Sequence, residues 1–177
     1  VVAPLGPFGG DGPNDGWSDA VVMVPYTIWK YLGDEKIVSD NWEAMAKFVA
    51  AVEKNDYTTK REAWLTGDWL SFENLTVDNT LRWSKGTLTD DHLEYQNFLN
   101  ACHLYQDAVM MEEMASLVIL EGAVCSKNAY TALAGKTKAR ILSKWFKPDG
   151  TLVDRFKGMQ TPALFALKLG LGDRKKI

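Results

Sequence analysis

The chain has 177 residues, 46% of them hydrophobic and 24% charged, which is the size and composition of one folded domain and excludes disorder, collagen-like repeats and a disulfide scaffold. Twenty Lys and Arg against 23 Asp and Glu leave a formal charge of -3, so no basic excess is available to neutralise a phosphate backbone and nucleic acid is not an expected partner. Seven Trp, six Tyr and seven Phe supply a core with aromatic rings to spare for a binding surface.

Residues 1–16 hold five Gly and three Pro among Asp11, Asn14 and Asp15, a composition that reads as a long opening loop. Ser18-Asp19 then caps a helix that carries Val21, Val22, Val24, Ile28, Trp29 and Leu32 and stops at Gly33, with Pro25 either kinking it or starting it. A second helix is expected from Ser39 or Asp40, with Glu43 as capping-box partner and the stripe Trp42, Met45, Ala46, Val49 and Val52, ending near Asn55. Residues 56–88 lack periodicity beyond a short turn near Lys60 to Trp64, and read as a second long loop of the kind that usually carries function.

Thr89-Asp90-Asp91 opens a third helix running to about Leu120, with a bend expected near Gln106 to Ala108. Ser126 caps a fourth with Tyr130, Leu133, Ile141 and Trp145, closed by the turn Pro148-Asp149-Gly150. A last helix spans Gln160 to Leu169 and stops at Gly170-Leu171-Gly172. No strand alternation rises above noise. The expected fold is therefore all-α, made of antiparallel helical hairpins with short turns at one end and long loops at the other, as in a barrel or toroid.

Cys102 and Cys125 lie in helical segments without C-x-x-C spacing and read as buried thiols. With only His92 and His103 they offer no recognised metal-ligand spacing, so no metal and no cofactor is expected. His103 reads as packing or surface, and Met110 to Met114 as core stripe plus solvated face. No apolar run is long enough to span a bilayer. The first residue is Val1, without the basic start of a signal peptide, so the chain reads as a segment of a longer polypeptide and assigns no compartment.

Two segments carry the candidate chemistry. Gly16-Trp17-Ser18-Asp19-Ala20 and Gly67-Asp68-Trp69-Leu70 each set a Trp and an Asp together at a loop–helix boundary. A pyranose packs its apolar face on an indole and needs directed acceptors for its hydroxyls, which ionised Asp provides. The competing reading makes Trp17 and Trp69 core anchors and Asp19 and Asp68 helix caps. Asp19 and Asp68 as the paired carboxyls of an inverting glycosidase is a third reading; Glu73, five residues beyond Asp68, reads as a solvated loop residue, with entry into the same loop surface as the alternative. No G-x-S-x-G, P-loop or dinucleotide fingerprint occurs.

The run from Gly16 through Pro25 to Tyr26, then Tyr31-Leu32-Gly33-Asp34, Asn41-Trp42-Glu43-Ala44-Met45 and Gly67-Asp68-Trp69-Leu70, resembles the catalytic domain of bacterial alpha-L-rhamnosidases. Met114-Ala115, Phe146-Lys147-Pro148-Asp149-Gly150 and Gln160 to Leu167 continue the resemblance in the family's order over nearly the whole chain. It implies part of a six-hairpin (α/α)6 toroid that removes terminal alpha-L-rhamnose with inversion and without a cofactor. It also implies that Pro25 sits inside a helix, that Trp17 and Trp69 line the rhamnose pocket, and that Asp19 and Asp68 are polar members of the same loops. The family's acid motif, D-E-R-x-G-W-x-G-D, and its base motif, T-T-x-W-E, do not occur in these 177 residues. The chain is thus expected to be a partial domain that supplies sugar-pocket loops, needs the remainder of the parent polypeptide, and turns over nothing alone. A non-catalytic carbohydrate-binding or interaction module, or a six-hairpin glycosidase for another sugar, is the alternative.

Overall fold

The first helix shows how the chain tolerates its proline. α1, Ala20–Leu32, runs unbroken through Pro25, whose ring is buried, so the kink-or-start alternative resolves as a proline held inside a continuous helix. Gly33 ends it at φ 71°, donating its backbone N–H to the Trp29 carbonyl at 2.8 Å, a left-handed cap that a side chain would strain. The computed structural model describes residues 18–55, 90–118 and 123–177.

α2, Glu35–Asn55, begins earlier than the capping-box pattern predicts. Asp34 supplies the cap: its Oδ1 accepts from the backbone N–H of Lys36 at 3.0 Å and of Ile37 at 3.3 Å. Asp40 and Glu43 are interior residues that pair along the helix instead, Asp40 with Lys36 at 2.6 Å and Glu43 with Lys47 at 2.5 Å. The earlier start follows from packing, because Val38 on the added turn is fully buried.

α3 spans Asp90–Met114 without interruption, through the residues Gln106 to Ala108 where a bend is expected, and tightens into a 3-10 turn at Ala115–Leu117. α4, Ala123–Trp145, starts ahead of Ser126, and α5, Gln160–Lys168, falls where the sequence puts it. Among the described residues there are five α-helices and no strand; one isolated antiparallel bridge joins Phe146 and Leu152.

α3 is the central element and packs along α4. Tyr95, Phe98 and Cys102 near its start share a core with Ile141 and Trp145 near the end of α4, to which Phe156, Ala166 and Leu171 add. Met111 and Met114 near its end share a second core with Leu133 and Ala134 of α4 and with Val22, Met45 and Val49 of α1 and α2. Start against end and end against start makes the pair antiparallel, as hairpins require. Trp42 and Trp145 are core residues as expected, and Trp29 is half-buried against the core that holds Val22 and Met111. Burial raises the Cys102 thiol far above its ordinary pKa, which keeps it unreactive.

The chain after α4 is held by backbone and side-chain hydrogen bonds. Asp149 Oδ1 accepts from the Thr151 N–H at 3.0 Å and from its hydroxyl at 2.7 Å, and the Asp173 N–H donates to the Gly150 carbonyl at 2.9 Å. Gly172 has φ 70°, and a Cβ there would lie 2.5 Å from both the Gly150 carbonyl oxygen and the Phe146 ring. Gly172→Ala is therefore expected to lose about 2 kcal/mol or more, from left-handed strain plus overlap with backbone that has no room to yield. A urea midpoint unchanged from the parent would show that the C-terminal segment does not dock here.

Candidate functional site

Of the four side chains singled out at the two loop–helix boundaries, Asp19 is described; Trp17, Asp68 and Trp69 lie outside the described residues. Asp19 is 1% exposed at the N-cap of α1. Its backbone carbonyl accepts from the N–H groups of Val22 and Met23, both at 2.9 Å, while its side chain makes no capping hydrogen bond. The cap reading of this carboxylate is thereby corrected: the backbone closes the first turn, and the carboxylate is directed to other partners.

One of these is His103 on α3, whose Nδ1 lies 4.0 Å from Asp19 Oδ2. That separation is too long for a hydrogen bond and short enough for a strong charge effect. Phe165 of α5 meets the imidazole edge-on at 5.2 Å between ring centres and 72° between planes. Burial holds the His103 pKa below its ordinary value; Asp19 pulls it part of the way back and Lys168 on α5 pushes it down again. The imidazole is therefore neutral at pH 7, able to accept at one nitrogen and donate at the other.

Around His103 the buried surface of α3 is polar. Gln96, Asn97, Asn100, Gln106 and Asp107 are each 5% exposed or less. Residues three or four apart share a helix face, so Gln96, Asn100, His103 and Asp107 form one seam, whereas Asn97 and Gln106, two and a half turns apart, lie on opposite sides of the helix. Sequence reasoning did not single out this group and read His103 as packing or surface. Its trace in the sequence is the four-three-four spacing of Gln96, Asn100, His103 and Asp107, in a helix that also carries acidic residues at both ends.

A separate charged cluster ties α1 to the far end of α3. Lys30 pairs with Glu113 at 2.7 Å, the Tyr26 hydroxyl donates to Glu113 at 2.9 Å, and the Lys30 ammonium lies 4.6 Å from the Trp29 ring centre. These groups are largely exposed and serve attachment. Among the described residues no three His, Cys, Asp or Glu side chains are placed to hold a metal ion, and no helix is long and apolar enough to cross a membrane.

The family model described as bacterial alpha-L-rhamnosidase 6 hairpin glycosidase domain matches residues 1–177, the whole chain. The chain belongs to that family. Its helical hairpins are those of an all-α six-hairpin glycosidase domain, and the family makes it a glycoside hydrolase in general chemistry. No curated protein and no solved structure gives a match.

Proposed function

We propose that this chain is the part of an alpha-L-rhamnosidase catalytic domain that builds the sugar pocket. The enzyme removes terminal alpha-L-rhamnose with inversion, and its acid and base glutamates lie in parts of the parent polypeptide outside these 177 residues. Trp17 and Trp69 provide the indole faces; Asp19 and Asp68 accept from sugar hydroxyls. The observation that carries the reading is the family match over the whole chain, joined by the burial of the Asp19 carboxylate at the loop–helix boundary where the sequence motif expects a polar pocket residue.

The chemistry explains the division. Inversion needs an acid to protonate the leaving oxygen and a base to activate water from the opposite face, with the two carboxyls roughly 6.5–9.5 Å apart. A segment with neither still fixes the sugar against them, and orientation contributes a large share of such catalysis.

The test compares two samples on 4-nitrophenyl alpha-L-rhamnopyranoside. The parent polypeptide carrying both glutamate motifs is expected to release 4-nitrophenol, with the beta anomer of rhamnose appearing first by NMR. The 177-residue chain alone is expected to release none above background. Turnover by the short chain would place acid and base within it, and parent activity on a different aryl glycoside in preference would move the specificity to another sugar.

A further inference from the structure

The outer side of α1 carries no charge. Val22 and Pro25 are the helix's buried residues, and α1 lies against α2 and α3. At about 100° per residue, Ala20, Val24, Thr27 and Tyr31 fall on the side opposite Val22 and Pro25. All four are exposed, Val24 by 50% and Tyr31 by 84%. On α2, by contrast, exposed positions include Lys36, Asp40, Glu43 and Lys47. Solvation accounts for the outer side of α2 and leaves that of α1 without a reason.

Shape defines what fits there. Ala20, Met23, Val24, Thr27 and Ile28 surround an open hollow of about 370 Å³, and among the described residues no other element lines it. Ala20, Met23, Val24 and Thr27 stand at i, i+3, i+4 and i+7, the four corners of the hole that receives one side chain of a facing helix. Val24, Thr27, Ile28 and Tyr31 repeat the spacing one turn further on. Two such holes in series, without a charge on their rims, match the apolar stripe of a helix. A second copy of the chain is a poor source for it. A stripe along the 13 residues of α1 is about 20 Å long and about 10 Å wide, so it offers on the order of 200 Å², whereas a standard interface buries about 800 Å² on each partner. A helix of the same polypeptide is spared the loss of translational freedom and can dock on so small an area.

We propose that the stripe Ala20, Val24, Thr27 and Tyr31 is the surface on which an amphipathic helix of the parent polypeptide, from outside these 177 residues, docks with two apolar side chains seated in the holes. The inference rests on the reading of this chain as part of a larger catalytic domain, and names the face on which that domain closes over it. A six-hairpin domain has helices beyond the five described here to supply the occupant. The docked helix holds α1 from its outer side, and with it the N-terminal boundary at which Asp19 sits.

Thr27→Cys tests it by maleimide labelling, followed by mass spectrometry of the peptide that carries position 27, in the parent polypeptide and in the 177-residue chain. Glu43→Cys on the charged side of α2 serves as the exposed reference. Position 27 is expected to react as fast as position 43 in the short chain and at least about 10-fold more slowly in the parent. Val24→Lys is expected to lower the melting temperature of the parent by about 4–8 °C, since it buries a charge at the joint, and to leave that of the short chain within about 1 °C. Equal labelling of position 27 in parent and short chain overturns the docking face. Protection in the short chain that grows with its concentration overturns it too, because a second copy is then the occupant. A parent that hydrolyses the aryl rhamnoside while position 27 labels freely removes the docking face alone. A parent that protects position 27 and hydrolyses no aryl glycoside supports the docking face and removes the glycosidase reading.

Discussion

Trp145→Ala is expected to cost about 3–5 kcal/mol, a large share of the roughly 5–15 kcal/mol that separates a folded domain from its unfolded ensemble. Trp145 ends α4 with 1% of its surface exposed. Its ring meets Phe98 of α3 at 5.6 Å and 78°, an edge-on contact, and its indole Nε1–H donates to Glu94 Oε2 at 3.1 Å. The same residue's carbonyl accepts from the Val153 N–H at 3.0 Å, which turns the chain into the Phe146–Leu152 bridge. Truncation thus opens a cavity, removes an aromatic pair and leaves Glu94 with Lys144 as its remaining described ion-pair partner.

Denaturant midpoints at constant slope measure the loss. Trp145→Phe should recover more than half of it, because the ring contact survives and Glu94 stays near solvent and Lys144. A loss below about 1 kcal/mol for the alanine variant would mean that the core around Phe98 and Phe156 does not depend on this joint. The same core fixes the first half of α3, where the buried amides begin.

Much of the helical plan was legible because its stop signals are local. Gly33 and Gly170 both adopt positive φ where the sequence put helix ends, and the turn at Pro148-Asp149-Gly150 forms as expected. The start of α2 was misread because Asp34 and Asp40 are both competent caps and the sequence pattern favoured the second. What decides between them is the burial of Val38, a contact that exists only after other elements have packed. α4 likewise runs back past the apparent cap at Ser126.

The candidate site residues came from motif and not from periodicity. Trp17, Asp19, Asp68 and Trp69 came from two short segments, and of these Asp19 is the one within the described residues. That its carboxylate does not cap α1 could not be read from Ser18-Asp19, since backbone carbonyl and side chain are equally suited to that task in the sequence. The meeting of Asp19 with His103 depends on how α1 lies on α3. The amides of α3 were visible as letters, but a polar residue on a helix reads as solvated until the elements packed against its own face are known.

Asp19→Asn keeps the shape of the side chain and removes its charge, and under the proposed reading kcat/KM for the aryl rhamnoside should fall about 10- to 100-fold in the parent polypeptide. The figure follows from a hydrogen bond to a charged acceptor, about 1.5–3 kcal/mol, at about 1.4 kcal/mol per tenfold. A second readout comes from His103, whose pKa burial lowers and Asp19 partly restores. Without the carboxylate that pKa must fall further, which an NMR titration of the imidazole protons would record. The effect on stability has a definite sign: a histidine with a folded pKa below its unfolded value of about 6.5 binds its proton more readily in the unfolded chain. Its contribution to stability is then complete above about pH 6.5, declines as the pH falls toward the folded pKa, and levels off below it. Asp19→Asn extends that decline to lower pH, whereas His103→Gln abolishes it. Urea midpoints between pH 7.5 and 5, referred to the His103→Gln background, separate this slope from other titrations. A His103 pKa that rises in Asp19→Asn would show that Asp19 is not the anion acting on the imidazole, and would remove it from the site.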